Sequence, residues 1–337
     1  MLSPRIAVVI LNWNGKKFLQ QFLPVVIEKS PNSEIYVADN ASTDDSVEFL
    51  KNNFPEVELI RNPDNSGFAG GYNQALNKIK ADYYVLLNSD VEVTSGWIDP
   101  IISFMEAHPN VAACQPKILD YFERDKFEYA GACGGFIDYL GYPFCRGRIF
   151  SEIERDNGQY EDSIPVFWAT GACMFIRSKS FWECNGFDED LFAHMEEIDL
   201  CWRMKNRGLK IYVVPSSKVF HVGGGTLEKS NPFKTYLNFR NSLVVLAKNS
   251  TDGILLVKVL LRLILDGVAG IKFLMEGRPV HVFSIVKAHW SFFFGVPKLL
   301  KKRKKSKPVN NNKCILQSSI VLDFYLRGRK KYSQINW

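Results

Sequence analysis

The chain of 337 residues has no long uncharged apolar run near its start. Its first such stretch, Ile6 to Leu11, is six residues long, too short for a secretory signal core and far too short to span a bilayer, so no export signal is expected. The seven cysteines (Cys114, Cys133, Cys145, Cys173, Cys184, Cys201 and Cys314) are odd in number and no two stand three apart. That excludes zinc-ribbon and thioredoxin spacings and points to reduced thiols in a cytoplasmic protein. The turn after the first apolar stretch, NWNGKKF, lacks the G-x-G-x-x-G spacing of a dinucleotide fingerprint, and no P-loop is present. His194-x-Glu196 has no P-C-x-x-C to complete a zinc deaminase. There are no internal repeats, and the one low-complexity run is KKRKKSK at 301–307.

What is present describes a folded enzyme-sized body with an unlike tail. A hydrophobic content of 46% and an aromatic content of 13% support a large core. Residues 1–252 hold 25 Lys and Arg against 33 Asp and Glu, whereas residues 253–337 hold 17 against 3. An acidic globular part is thus joined to a basic, apolar extension, the balance expected of a protein that rests on an anionic surface.

The first ninety residues alternate between continuous apolar runs (RIAVVIL, EIYVAD, VELIRN, YYVLLNSD) and helical patterns of ten to fourteen residues. This is the signature of βαβ units and a parallel sheet, whose carboxyl ends open onto one edge. At that edge fall Asn12 and Asn14, Asp39 and Asn40, Asn62 and Asn65, then Asn88 and Asp90. Each alone is ordinary turn chemistry, but four in succession describe a polar cleft. Residues 97–165 read as Gly- and aromatic-rich loops with short strands. Further on, the pattern predicts a strand over 172–176, a helix from Glu196 to Asn206, and strands ending at Val214 and at His221.

Several clusters carry chemistry. Asp39 can accept from a ribose hydroxyl or a base N–H, or it can cap the next helix with Asn40 and Ser42. Gly67, Gly70 and Gly71 surround a helix start near Asn65 and Asn73, where they allow either close ligand approach or close packing. Asn88-Ser89-Asp90 ends a strand where a divalent cation can neutralise a diphosphate, with Asp90 as ligand. Glu196 and Glu197 open a helix; they suit its macrodipole, and as a like-charged pair they also suit general-base work. Asp199 and Arg203, four apart, read as an intrahelical pair. Trp168 and Gly171 can shape a sugar pocket or pack in the core. A lone histidine such as His221 at the end of an apolar strand is by itself most simply structural.

In their order and distances, VVILNWNG, VADNASTDDS, NSGFAGGYNQAL, LLNSD, GACMFIRSKSFWECNGFDEDLFAHMEEIDLCWR and VFHVGGGT resemble glycosyltransferase family 2, and most closely its bacterial rhamnosyltransferase-like branch. The resemblance covers about residues 5–226. It implies a GT-A fold, an α/β architecture with a mainly parallel sheet flanked by helices. It also implies a nucleotide-sugar donor such as dTDP-rhamnose or a UDP-sugar, a divalent cation (Mg or Mn), and inversion by single displacement. By position, Asp39 would meet the base, Asp90 and His221 would hold the metal, and Glu197 would be the catalytic base with Glu196 as the alternative. Asn12, Asn40, Asn65, Gly70, Gly71, Asn73, Asn88, Ser89, Trp168 and Gly171 would complete the nucleotide-sugar site. Two positions depart from the family pattern: Asn88 replaces the first acid of D-x-D, and Glu197 replaces an aspartate.

The division that follows is a GT-A domain over 1–250, amphipathic basic helices over 251–307 and a basic tail over 308–337. In the 24-residue run GILLVKVLLRLILDGVAGIKFLME, Lys258, Arg262, Asp266 and Lys272 argue against a bilayer span and share a helical arc of about 120°. This predicts an interfacial helix on the inner face of the cell membrane; packing on the domain or on a partner copy is the alternative. The acidic body argues against nucleic acid. The expected partners are a nucleotide-sugar donor, a glycan or lipid-linked acceptor, the membrane surface and, as an open option, a second copy. Rival readings are a nucleotidyltransferase and a non-catalytic nucleotide-sugar-binding scaffold.

Overall fold

Four apolar strands build the centre of the molecule: β1 (Ile6–Asn12), β2 (Glu34–Asp39), β3 (Glu58–Arg61) and β4 (Tyr83–Asn88). The computed structural model, which describes residues 3–223, 231–303 and 314–337, pairs them in parallel in the order β4-β1-β2-β3. Helices α1 (Lys16–Lys29), α2 (Ser46–Asn53) and α3 (Gly67–Leu76) make the crossovers. Successive side chains of a strand point to opposite faces, and both faces here are covered. Val8 and Ile10 of β1 join Leu19 and Leu23 of α1 on one side, while Ala7 and Val9 join Tyr72 and Leu76 of α3 on the other.

The sheet widens beyond β4 by β12 (Cys173–Arg177), β6 (Val111–Asp120), β13 (Lys210–His221) and β11 (Ile164–Val166), and β5 (Val91–Val93) pairs with β13. β12 runs antiparallel to β4 and to β6, whereas β13 lies parallel to β6. The observed architecture is therefore the α/β, mainly parallel fold that the resemblance implies. Helices α4 (Asp99–Ala107), α5 (Ser178–Glu183) and α6 (Glu196–Lys205) flank it.

The segment 97–165 is more regular than its composition suggests. α4 begins with a proline in its first turn, where the missing N–H costs nothing. β6 is buried along nearly its whole length, and its internal charge, Lys117, is satisfied by Asp156 and Glu161. Four short strands, β7 (Gly135–Asp138), β8 (Pro143–Cys145), β9 (Arg148–Ile149) and β10 (Glu152–Ile153), form a second sheet. In place of two strands ending at Val214 and His221 there is one, β13, with a register shift between Val214 and Lys218 that absorbs Pro215.

Three further helices follow: α7 (Pro232–Asn249), α8 (Leu255–Met275) and α9 (Pro279–Lys302). The charged arc of α8 faces the protein. Arg262 donates to Ser242 Oγ (2.6 Å) and to the Leu140 carbonyl (3.2 Å), and stacks 3.7 Å from the Tyr142 ring. Asp266 accepts from Tyr142 Oη and pairs with His289 Nε2 at 3.0 Å. Lys258 pairs with Asp252 at 2.5 Å, and of the four charged residues only Lys272 stays exposed. The C-terminal segment folds back: β14 (Ile315–Leu316) adds a parallel strand to β7, α10 (Ile320–Tyr325) follows, and Trp337 packs on Phe136. All seven thiols are buried and unpaired. No described helix is long and apolar enough to cross a membrane.

Candidate active site

Register decides which side chains meet. Asn12 stands opposite Asp39, and Leu11 opposite Asn88, so three strand ends lie abreast at the carboxyl edge. Backbone bonds from Asn40 N to Asn12 O and from Asn62 N to Asp39 O extend the row. A cleft of about 490 Å³ opens there, lined among others by Asn14, Asn40, Asn65, Gly67, Asn88, Ser89, Asp90, Gly171, Glu196, Glu197 and His221.

At one wall, β5 pairs with β13 so that His221 lies opposite Val91, the residue after Asp90. His221 Nε2 therefore sits 3.2 Å from Asp90 Oδ1 and 3.5 Å from Asn88 Nδ2. On its other side, Nδ1 lies 3.4 Å from Glu128 Oε2. Burial disfavours charge on the ring, but Glu128 and Asp90 outweigh it and raise His221 to about 10. Burial likewise opposes ionisation of Asp90, yet His221 holds its carboxyl below the ordinary range. Glu128 has no periodic context in the sequence, and only the return of β13 beside the 128–130 turn reveals it; its Oε2 also accepts from Ala130 N at 2.6 Å.

Glu196 and Glu197 line the same cleft. Burial raises both, Glu196 well above the usual carboxylate range with Glu197 adding repulsion, and Glu197 to about 7. The Oε2 atoms of both carboxyls are buried without a hydrogen-bond partner, as is Nε2 of His194 in the same lining. An unpaired buried acceptor costs roughly 1–3 kcal/mol, so the arrangement keeps acceptors free at a stability cost. Burial and then Lys234 lower His194 to about 4, which leaves a neutral ring in the cleft.

The loop before α6 is held in an unusual shape. Phe192, His194 and Met195 have φ of 64°, 67° and 74°. Asn241 of α7, fully buried, donates through Nδ2 to the carbonyls of Leu191, Ala193 and His194 at 2.7–2.9 Å. Gly67 (φ +72°) is pressed against this loop; a Cβ there would meet the Phe192 carbonyl at 2.5 Å. Asn241 and the cleft residues Phe233 and Lys234 lie on α7, where no motif marks them.

Of the other predicted site residues, Asn40 lies in the lining, and Asn12, Asp39, Gly70, Gly71, Asn73 and Trp168 lie outside it. Asn12 donates to Asp39 Oδ1 and Ser42 Oγ (both 3.1 Å), and Asp39 Oδ2 accepts from Ser42 N. Both are buried. Asn40 lines the cleft while donating to Asn65 Oδ1 and the Gly67 carbonyl. Gly70 and Gly71 are buried and ease packing of α3: a Cβ would strike Ser66 or Leu11. Asn73 binds the Phe187 backbone and Glu189. Trp168 is core, its Nε1 donating to the Phe136 carbonyl at 3.0 Å. Asp199 pairs with Arg203 at 2.7 Å and is also held by Lys248 and Asn249. Of VFHVGGGT, the residues after Gly223 lie outside the described residues, as do residues 304–307 of the basic run.

A polar cleft at the carboxyl edge of a mainly parallel sheet, with a buried carboxyl pair in its lining, is where an open α/β enzyme takes its ligand. Glycosyl transferase family 2 matches residues 7–184, more than half of the chain, and the chain belongs to that family. It is 27% identical over 233 residues to the N-acetylglucosaminyl-diphospho-decaprenol L-rhamnosyltransferase of Mycobacterium tuberculosis, covering 64% of this chain and 75% of that one. It is 23% identical over 273 residues to the dTDP-rhamnosyl transferase RfbF of Shigella flexneri, covering 76% and 85%. Its fold matches the mannosyltransferase PcManGT from Pyrobaculum calidifontis in complex with GDP-Man and Mn2+, with TM-score 0.53, 14% identity, and 87% and 88% of the two chains covered.

Proposed function

We propose that the chain transfers a deoxyhexose or hexose, with inversion, from dTDP-rhamnose or a UDP-sugar to a hydroxyl of a glycan or lipid-linked acceptor in cell-surface polysaccharide synthesis. One observation carries this reading. Two buried carboxyls with free acceptor atoms share a cleft with the Asp90–His221 pair.

Glu197 takes the proton from the acceptor hydroxyl, whose oxygen forms the new bond to the anomeric carbon as the bond to the diphosphate breaks. Burial keeps the proton affinity of Glu197 high, so that the base works near neutral pH. Asn40, Asn65, Ser89 and Gly171, which line the same cleft, would contact the donor.

Among the described residues, no group of three His, Cys, Asp or Glu side chains is arranged to hold a metal. Asp90 and His221 still fit a hard divalent cation of the kind that takes its remaining ligands from substrate phosphate oxygens and water, Mg or Mn. To serve as a ligand, His221 would have to give up its ring proton. Such a cation would neutralise charge on the departing diphosphate. Relatives named for rhamnosyl transfer, and a fold relative solved with GDP-Man and Mn2+, support the donor class and the cation.

The test is transfer from a panel of nucleotide sugars, with and without chelator. Release of nucleoside diphosphate that depends on both cation and acceptor supports the reading. Binding of every donor without turnover would leave a scaffold instead.

A further inference from the structure

Amphipathic helices normally turn their apolar side inward; α8 instead turns its charged side inward, and α9 buries Ile285, Ala288 and Phe292 yet still leaves a second apolar face outward. Arg262 and Asp266 of α8 are buried against the domain, as are His281 and Ser284 of α9, with His281 Nδ1 2.7 Å from Thr235 Oγ1. Outward lie Leu256, Ile264 and Met275 on α8, and Phe283, Trp290 and Phe294 on α9, most of them more than half exposed; Met275 reaches 84% and Phe294 78%. Scattered exposed apolar residues need no explanation, but a continuous ridge along two paired helices of 21 and 24 residues does.

The surrounding charge names the occupant. Of the three acidic residues after position 252, Asp266 and Asp323 are buried, which leaves Glu276 as the one exposed carboxylate among the described residues there. Lys272, Lys287, Lys298 and Lys301 are exposed along the same helices. A second copy docked through this ridge would bring two basic rims together, whereas an anionic leaflet offers apolar depth and opposite charge at once. The ridge also adjoins the cleft: Phe233, in the lining, lies 6.0 Å ring to ring from Tyr236, whose hydroxyl donates to Ser291 Oγ of α9, next to Trp290.

We infer that the α8–α9 hairpin seats in one leaflet of an anionic bilayer with its apolar ridge in the acyl boundary, anchored to the domain by its buried charged face. This docking does not depend on the reaction proposed above.

The experiment is co-sedimentation of the full chain with phosphatidylcholine vesicles, with and without phosphatidylglycerol. The chain binds the anionic vesicles, and salt weakens that binding. The variant Phe283→Glu/Trp290→Glu/Phe294→Glu partitions about tenfold less or worse, while its melting curve, and donor hydrolysis in solution without lipid, match the parent. Those two readouts separate failed docking from failed folding or a failed reaction. Indifference to vesicles would overturn the inference, as would equal binding to neutral ones. A wild-type dimer in ultracentrifugation that the triple variant dissociates, with no vesicle binding, would assign the ridge to a second copy and overturn it too.

Discussion

His221 Nε2 stands 3.2 Å from Asp90 Oδ1, although 131 residues separate them, because β13 runs antiparallel along β5 and delivers its last residue to the start of that strand. The contact joins the end of the βαβ half to the final strand of the sheet. Removing either side chain should remove the cation's protein ligands. Asp90→Ala is expected to lower turnover by roughly 10²-fold or more and to weaken manganese binding in the presence of nucleoside diphosphate. Calorimetric titration of Mn checks the second effect independently of activity.

Glu197→Gln should abolish transfer yet leave donor affinity near that of the parent, since the carboxylate acts on the acceptor. Glu196→Gln should be milder and should leave the acid limb of the pH–rate profile near that of the parent, because burial rather than its neighbour raises Glu197. In the parent, activity rises with pH as Glu197, raised to about 7, loses its proton. Rates across pH 5–9 for the three proteins decide this.

The same two carboxyls should cost stability. Their folded pKa values lie above those of the unfolded chain, so their stabilising protonation is complete below about 4.5 and is lost as pH rises through the folded values. Glu196→Gln is therefore expected to stabilise the fold at pH 8 by roughly 1–3 kcal/mol and to do little at pH 4. Thermal melts at the two pH values read the difference.

Asn241 holds three carbonyls of a loop whose residues 192, 194 and 195 have positive φ. Asn241→Ala takes this donor from the Ala193 and His194 carbonyls, while Leu191 O keeps Arg240 and Ala193 N, so a loss of about 1–3 kcal/mol is expected, with a fall in kcat that exceeds any change in donor affinity. Denaturant midpoints and steady-state rates test the two parts.

Arg262→Ala takes the cation out of a buried arrangement with Ser242, Tyr142 and the Leu140 carbonyl and leaves Asp266 short of positive charge. A loss of about 3–5 kcal/mol is expected, the usual cost of removing one partner from a buried charge network. Amide exchange should then speed up along α8 first.

The parallel half was legible because its topology leaves little freedom. Strands flanked by helices must present Asn12, Asp39, Asn88 and Asp90 at one edge. Which of these line the cleft was not legible: Asn12 and Asp39 are buried and joined to each other and to Ser42, with Asn12 Oδ1 left without a partner, an outcome of side-chain hydrogen bonding that spacing does not encode. Glu128 escaped notice because the turn that carries it has no periodicity, and Asn241 because a buried asparagine in a helix looks like any other polar residue. The α8 wheel gave the charged arc but not its direction. Stacking on Tyr142 and pairing with His289, residues distant in the chain, turn that arc inward.

In the proposed reaction Asp90 and His221 would hold a cation at the donor diphosphate, in the cleft that Glu197 also lines. A crystal grown with manganese and a nucleoside diphosphate, measured at the manganese absorption edge, tests this most directly. The predicted result is a single anomalous peak within ligand distance of Asp90, His221 and phosphate oxygens, with Glu197 in the same cleft. A peak elsewhere, or a diphosphate bound away from these residues, would contradict it.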